Sequence, residues 1–376
     1  MNSMIHIENR NQCCGCSACA DACPHKAIRM VPDGMGFPYP AVDPDLCVDC
    51  GICDHVCAFR PATGSPRNAF AIRFPEYLDQ SQSGGLGYAL MRKAVREGRV
   101  VYGAAMGADF VVRHVRVTTE EGLEPLRLSK YVQSDMTGIP GQVLADLKAG
   151  RKVLFTGTPC QCAGVGSLAG LHRKDLLLVD ITCHGVPAPY VWRDYLEFVE
   201  KREGEPLTGA LFRDPAIGWH GAKERLLFAS KSLVREDYSH LYFRRYMMRP
   251  SCLACPFASL ARPSDLTMAD CWGVEKVLPG FADDNRGCSL LLVNTEAGSA
   301  FAAHFEVDPQ LQEVDIHTVM QPNFQTPTVA HKYAPRFERL YLRHGFPSVL
   351  RNFGKDSWNH HIAEKIVEFK KKWVRK

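Results

Sequence analysis

The chain of 376 residues is 46% hydrophobic and 23% charged, values typical of a globular protein, so its composition excludes a disordered or fibrous chain. Its length favours two or three domains. The formal net charge of +4 is modest for this length and excludes the dense basic surface that nucleic-acid binding requires.

The N-terminus does not resemble a secretory signal. Residues 1–12 are polar, and no stretch of the chain approaches the about 18 apolar residues that a membrane span needs. We therefore expect a cytoplasmic protein without a membrane span. In such a reducing compartment, the 16 cysteines are expected to be thiols or metal ligands and not disulfides.

The N-terminal region repeats a four-cysteine motif. The first run is Cys13-x-x-Cys16-x-x-Cys19-x-x-x-Cys23, and the second is Cys47-x-x-Cys50-x-x-Cys53-x-x-x-Cys57. Such runs hold 4Fe–4S clusters, and in two-cluster ferredoxins the fourth cysteine of each run ligates the other cluster. We therefore predict a ferredoxin-like βαββαβ module with two 4Fe–4S clusters over residues 1–62.

The crossed ligation rule assigns Cys57 to the cluster of the first run and Cys23 to that of the second. Zinc is the alternative, but a tetrahedral zinc site takes four ligands and gives no reason for the repeated spacing. Cys14 falls outside the spacing and is interpreted as a bystander thiol.

The rest of the chain shows alternating helix and strand patterns. Residues 63–77 are predicted to be a linker because Pro, Gly and Ser are frequent from residue 60 onward. Helical periodicity lies at residues 86–95, 140–149 and 189–201. Apolar runs that predict buried strands lie at 99–103, 153–155, 176–179, 266–268 and 290–293. This alternation indicates a mixed α/β body over residues 78–340, followed by a helical segment over residues 341–376.

Five short motifs occur in order within the body. They are Ser83-Gly84-Gly85, Ser129-Lys130-Tyr131, Gly157-Thr158-Pro159-Cys160-Gln161, Cys183-His184-Gly185 and Cys252-x-x-Cys255-Pro256. Together they resemble the coenzyme F-420 hydrogenase/dehydrogenase beta-subunit family, whose members are iron–sulfur flavoproteins. The resemblance implies that this region binds FAD and a further 4Fe–4S cluster.

The resemblance implies ten cofactor-binding residues: Ser83, Gly84, Gly85, Ser129, Lys130, Tyr131, Gly157, Thr158, Pro159 and Gln161. A Ser-Gly-Gly turn at a helix N-terminus can present backbone N–H groups to a pyrophosphate, although a plain turn with Ser83 as the helix cap is the alternative. The Gly157 loop follows a buried strand, where ligands of α/β folds gather. Lys130 is expected to stabilise negative charge on reduced flavin, or else to be a surface lysine.

The same motifs imply four ligands for a third 4Fe–4S cluster: Cys160, Cys183, Cys252 and Cys255. Zinc at this site and buried free thiols are the alternatives. Cys162, Cys271 and Cys288 are interpreted as packing residues, with Cys271 also a possible substitute ligand.

These predictions describe an oxidoreductase that passes electrons between ferredoxin-type clusters and FAD, with hydride transfer to or from an organic substrate or a deazaflavin-like coenzyme. Its partner is expected to be a redox protein or another one-electron carrier. The alternative is an electron-relay subunit without a substrate site. A radical enzyme is disfavoured because no Cys-x-x-x-Cys-x-x-Cys run is present. The catalytic acid is not identified, since neither His184 nor His220 stands out among the 14 histidines.

Overall fold

The computed structural model describes residues 5, 7–278, 280–281 and 283–355 of the chain. Its strands are β1 (Ile28–Pro32), β2 (Pro38–Val42), β3 (Asn68–Arg73), β4 (Val100–Met106), β5 (Val112–Val117), β6 (Val153–Gly157), β7 (Leu176–Ile181), β8 (Leu207–Phe212), β9 (Glu224–Phe228), β10 (Ser232–Arg235), β11 (Leu266–Asp270), β12 (Ser289–Val293) and β13 (Gln310–Glu313). Its helices are α1 (Ala18–Ala22), α2 (Ile52–Val56), α3 (Leu86–Arg96), α4 (Ile139–Lys148), α5 (Pro159–Ala169), α6 (Pro189–Glu203), α7 (Asp237–Phe243), α8 (Glu296–Ala302) and α9 (Ala334–Phe353).

An eight-stranded sheet forms the centre of the body, in the order β13-β3-β12-β11-β7-β6-β4-β5. Neighbours within the group β11, β7, β6 and β4 pair in parallel, whereas the flanking strands pair antiparallel. The segments that carry Cys160, Cys183 and Trp272 follow β6, β7 and β11, so they leave the sheet at the carboxyl ends of parallel strands. Ligand sites of α/β folds form at this edge.

Successive residues of the central strands face opposite sides of the sheet and fill two hydrophobic cores. Leu154 of β6 and Leu177 of β7 pack with Leu90 of α3 on one side. Phe155, the neighbour of Leu154, packs with Val143 of α4 on the other. This arrangement explains the continuous apolar runs of the sequence, and the predicted mixed α/β fold is confirmed.

A smaller layer flanks the sheet. Strands β10, β9 and β8 form a three-stranded antiparallel sheet. Its core is rich in aromatic side chains, among them Trp192 and Tyr195 of α6, Tyr238 of α7 and Phe337 of α9. Helix α9 therefore closes this layer. The remainder of the predicted helical C-terminal segment, residues 356–376, lies outside the described residues.

The N-terminal module contains α1, α2 and the antiparallel hairpin of β1 and β2. Among its described residues, the two outer strands of the predicted βαββαβ order are not formed. The backbone N–H of Ile5 donates to Cys53 Sγ at 3.2 Å.

The predicted linker at residues 63–77 is shorter than expected, because β3 lies within it. This strand sits between β13 and β12 in the large sheet, and Ile72 is fully buried. Residues 58–67 lack helix and strand. Within the described ranges, no helix has both the length and the apolar character that crossing a bilayer would demand.

Candidate metal centres

The first three cysteines of the second run and the last cysteine of the first run line one cavity. Its thiols are Cys23, Cys47, Cys50 and Cys53. Backbone N–H groups point to two of these sulfurs: Ile5 N lies 3.2 Å from Cys53 Sγ, and Ala27 N lies 3.4 Å from Cys23 Sγ. The crossed assignment of Cys23 therefore has a geometric counterpart.

The other four predicted ligands of the module interact electrostatically with one another. Burial raises the pKa of Cys19, and negative charge on Cys16, Cys13 and Cys57 raises it further. Burial likewise raises the pKa of Cys13 to about 11, a rise that Cys16 and Cys57 reinforce. Mutual repulsion of this kind disappears when the thiolates share a cationic iron core.

The four cysteines predicted to hold a third cluster also line one cavity: Cys160, Cys183, Cys252 and Cys255. They come from the start of α5, the loop after β7, and the 3-10 turn Pro250–Ala254 with the residue after it. Gly185 N lies 3.3 Å from Cys183 Sγ, and Val186 N lies 3.4 Å from Cys252 Sγ. Such N–H groups stabilise thiolate ligands and tune cluster potentials.

The predicted ligand cysteines line cavities, and their side chains do not converge on the position of a single metal ion. Within the described part of the chain, no three Cys, His, Asp or Glu side chains meet where a single metal ion would sit. In a tetrahedral zinc site with Zn–S distances of about 2.3 Å, the sulfurs lie nearly in contact. Thiols around a cavity are the arrangement that a cluster of several iron and sulfur atoms fits.

Cys14, interpreted from the sequence as a bystander, is a fifth thiol of the third cavity. The neighbouring Cys16 and Cys160 thiols, together with burial, raise the pKa of Cys14 well above the usual value. Cys14 thus lies close to one predicted ligand of the first site and one predicted ligand of the third. The sequence signal was its position inside the first run.

The three remaining cysteines lie apart from these cavities. The Cys162 thiol lies 3.7 Å from the Val179 carbonyl oxygen within the core. Cys271 and Cys288 are fully buried neighbours, with the Cys271 backbone N–H donating to the Cys288 carbonyl at 2.8 Å. They are packing residues, and Cys271 does not line the third cavity.

The third cavity rests on a buried ion pair. Arg262 lines the cavity, and its Nη2 donates to Asp180 Oδ1 at 2.9 Å. Both side chains are almost completely buried, with 1% and 0% of their surfaces exposed. Because each charge is neutralised by the other, the pair adds no net charge to the site.

The Ser83-Gly84-Gly85 turn is held tightly by the sheet. A Cβ on Gly84 would lie 2.4 Å from the Ile72 carbonyl oxygen, and Gly85 begins α3 with a φ of +83°. Ser83 Oγ donates to the Cys288 carbonyl at 2.9 Å and does not cap the helix. Close packing therefore explains Gly84, and the hypothesis of Ser83 as the cap is wrong.

The Gly157 loop forms a capping box at the start of α5. Gln161 Oε1 accepts from the Thr158 backbone N–H at 2.9 Å, and Gln161 Nε2 donates to Ser134 Oγ at 2.8 Å. Thr158 Oγ1 lies 3.2 Å from Cys160 Sγ. The Gln161 carboxamide thus positions the cysteine-bearing loop, with Pro159 in the first helical turn.

Lys130 is half-buried beside this loop. Its Nζ donates to the carbonyls of Arg127 and Leu128, at 2.5 and 3.3 Å. Burial lowers its pKa to about 7. Burial lowers the pKa of His114, and the positive charge of Lys130 lowers it further. His114 Nε2 lies 2.9 Å from the Thr156 carbonyl oxygen. The alternative of a surface lysine is therefore wrong.

A residue that sequence reasoning missed, Arg213, connects the predicted flavin segments. It donates to Asp270 Oδ2 at 2.7 Å and to the Trp219 carbonyl at 2.9 Å. Gln82, next to Ser83, donates to the Arg213 carbonyl at 2.5 Å. We call the surroundings of Arg213, Asp270, Trp219 and Trp272 the Arg213 cleft.

Tyr131 joins the Arg213 cleft to the third cavity. Burial raises the pKa of Tyr131, and the positive charge of nearby Arg213 opposes this rise. The Tyr131 ring centroid lies 5.0 Å from that of Tyr242. The Tyr242 hydroxyl in turn donates to the Gly185 carbonyl at 3.1 Å, within the Cys183 motif. One aromatic contact therefore separates the two sites.

The module docks directly on the body. A Cβ on Gly164 of α5 would lie 2.6 Å from Cys16 Sγ, so the glycine lets the helix approach the first cysteine site. Gly141 N, in α4, donates to Asp21 Oδ2 of α1 at 2.9 Å. The Phe59 and Phe257 rings, both at the third cavity, lie 6.0 Å apart. These contacts bring the first site next to the third.

Comparison with known proteins agrees with the motifs. Residues 150–318 match the family described as the C terminus of the coenzyme F420 hydrogenase/dehydrogenase beta subunit, and residues 12–60 match the 4Fe-4S dicluster domain. No curated protein sequence matches the chain. A solved chain of the F420-reducing [NiFe] hydrogenase complex from Methanosarcina barkeri has 16% sequence identity and a TM-score of 0.48, covering 78% of this chain and 95% of that chain.

Proposed function

We propose that this chain, which matches a 4Fe–4S dicluster domain and the C terminus of the coenzyme F420 hydrogenase/dehydrogenase beta subunit, is an iron–sulfur flavoprotein oxidoreductase. Electrons pass between the two clusters of the module and a third cluster in the body. From there they reach FAD at the Arg213 cleft. The iron–sulfur character follows from the dicluster domain, whereas the third cluster, FAD and the substrate are the proposal.

The third cavity carries the proposal. Four thiols from separate parts of the body surround it, and Cys14 of the module adds a fifth. A cysteine that only fills the core does not need several neighbouring thiols, since buried cysteines elsewhere in the chain pack singly or in pairs among apolar side chains. A cluster at this position would lie next to the first site and one aromatic contact from the Arg213 cleft.

The Arg213 cleft suits the flavin role by its chemistry. FAD, when bound, links single-electron carriers to two-electron organic chemistry. Arg213 and Asp270 offer a fixed donor and acceptor pair, and Trp272 leaves 40% of its surface exposed while stacking on Trp219 at 4.3 Å. Flat aromatic surfaces and oriented polar groups of this kind bind and orient planar ring systems.

The second reactant is either an organic molecule that accepts or gives a hydride or a deazaflavin-like coenzyme. A redox protein or another one-electron carrier reaches the chain at the module. The exposure of Cys50 supports this contact between the carrier and the module, because Cys50 is the exposed thiol of the cavity that Cys23, Cys47 and Cys53 also line. Solvent-facing clusters exchange electrons with partners at short range.

Anaerobic reconstitution followed by iron, sulfide and flavin counts tests the proposal. We expect about twelve iron atoms and one FAD per chain, since each cubane takes four thiolates. About eight iron atoms without flavin would overturn it and leave an electron-relay subunit. Addition of a reduced deazaflavin should then bleach the flavin absorption. If no hydride donor bleaches it, the proposed hydride transfer between flavin and substrate would be excluded.

A further inference from the structure

Arg249 is a buried cation that the family motifs do not contain. It precedes the turn that carries Cys252, and none of its side-chain surface is exposed. Its Nε donates to the Cys13 carbonyl at 2.8 Å, while its side chain also lines the third cavity. The guanidinium therefore lies between the first and the third cysteine sites.

The partners of this guanidinium are neutral. Nη1 donates to Gln133 Oε1 at 3.0 Å, and Nη2 donates to the Pro38 carbonyl at 2.8 Å. The Tyr39 ring centroid lies 4.4 Å from Arg249 Cζ. Among the described residues, no carboxylate forms an ion pair with Arg249, in contrast to Arg262 in the same cavity, which pairs with Asp180.

A buried charge without a counter-charge is strongly disfavoured, so such groups are paired or neutralised. Gly15 shows that the position is built for the arginine: a Cβ there would lie 2.9 Å from Arg249 Nη1, and its φ is +73°. The missing negative charge is available from either cysteine site. A 4Fe–4S core ligated by four thiolates carries net negative charge, which increases on reduction.

We propose that Arg249 is a positioning residue that serves as the shared counter-cation of the first and third iron–sulfur sites, favouring the reduced state of both. The proposal rests on the proposed third cluster. The second site, formed by Cys23, Cys47, Cys50 and Cys53, does not contain Arg249 in its lining. Its cluster is therefore the internal reference.

Redox titration of the reconstituted full chain, followed by electron paramagnetic resonance, tests the charge directly. In Arg249→Met, we expect the ratio of reduced to oxidised cluster at a fixed potential to fall about tenfold at two sites, equivalent to about 59 mV for a one-electron couple. The second site should be unchanged. Arg249→Lys, which keeps the charge, should stay close to the unaltered protein.

The matched control is Arg193→Met. It removes one positive charge at an exposed arginine that pairs with Asp194 and lies away from the cysteine sites. This variant should leave all three titrations unchanged. Equal shifts at all three sites in Arg249→Met, no shift at any site, or a shift in Arg249→Lys as large as that in Arg249→Met would each overturn the proposal.

Gln133→Glu covers the case in which Arg249→Met does not fold. It places a carboxylate at the atom that now lies 3.0 Å from Nη1, and so neutralises the guanidinium without removing it. The same two sites should become harder to reduce, and unchanged titrations would overturn the proposal. If the unaltered chain binds only eight iron atoms, the proposed function fails, while a shift confined to the first site still supports a charge role for Arg249.

Discussion

Each site of the N-terminal module and the third cavity gathers four predicted ligand cysteines, but by different routes. In the module the ligands lie in two short runs, and the spacing within each run shapes its site. In the body Cys160, Cys183 and Cys252 lie far apart in sequence, and the parallel strands β6 and β7 bring the first two together. A site of the first kind can be recognised from spacing alone. A site of the second kind exists only once the fold has formed.

The largest expected effect distinguishes the cysteines of the third cavity, as cluster ligands, from ordinary buried thiols. Cys252→Ala should lower the iron content from about twelve to about eight atoms per chain, because a cubane loses one of its four thiolates. The measurement is iron and sulfide analysis after anaerobic reconstitution. Cys162→Ala is the control, since Cys162 packs in the core and should keep all iron. Full iron content in Cys252→Ala would contradict the assignment.

The second prediction tests the crossed ligation within the module. Replacing Cys47, Cys50 and Cys53 by Ala should remove one cluster, about four iron atoms. Adding Cys57→Ala should remove a second cluster, because Cys57 belongs with the first run. Adding Cys23→Ala instead should change nothing further. The opposite result for these two additions would show that each run holds its own cluster.

The comparison also explains what could be predicted from sequence. The apolar runs of β6 and β7 are long enough to indicate buried strands, and their alternate residues do fill two cores. The sequence of strand β3 predicts a linker, because Pro and Gly precede it and its small residues, Ala69 and Ala71, weaken the strand pattern. Its position between β13 and β12 is a long-range property.

The charged residues of the sites were harder to foresee. Arg213 and Arg249 resemble surface arginines in sequence, since nothing local marks a buried cation. Their roles depend on Asp270 and on Cys13, which lie 57 and 236 residues away. Nothing local marks Gly164 either, and only the approach of Cys16 Sγ in the folded chain gives a reason for a glycine at this position of α5.

The third prediction concerns the junction of the two regions. Gly164→Ala should reduce the free energy of unfolding by up to about 3 kcal/mol, because its Cβ would overlap Cys16 Sγ, which a cluster holds in place. Urea unfolding of the reconstituted protein measures this. In Gly166→Ala the nearest atom to the new Cβ is the end of the Leu178 side chain at 3.0 Å, and the gain in helix propensity of about 1 kcal/mol offsets this contact. Equal losses in both variants would exclude a specific junction.

The smallest expected effect concerns Lys130 and compares the pH dependence of stability without FAD and with FAD bound. Burial lowers its folded pKa to about 7, whereas an unfolded lysine titrates at about 10.4. Between these values the unfolded chain binds more protons, so stability rises with pH above 7, by at most about 1.4 kcal/mol per pH unit. Below pH 7 both states are protonated, and the full cost of the buried charge remains.

Thermal unfolding of the apo protein between pH 7 and pH 9 measures this slope. Lys130→Met should make this slope less positive and stabilise the protein at pH 7, whereas Lys148→Met, at an exposed lysine, should keep the slope of the unaltered protein. If Lys130 faces the flavin as proposed, bound anionic cofactor favours the charged amine, so FAD should flatten the slope in the unaltered protein. A slope that is the same with and without FAD would place Lys130 in the structure of the loop and not at the cofactor.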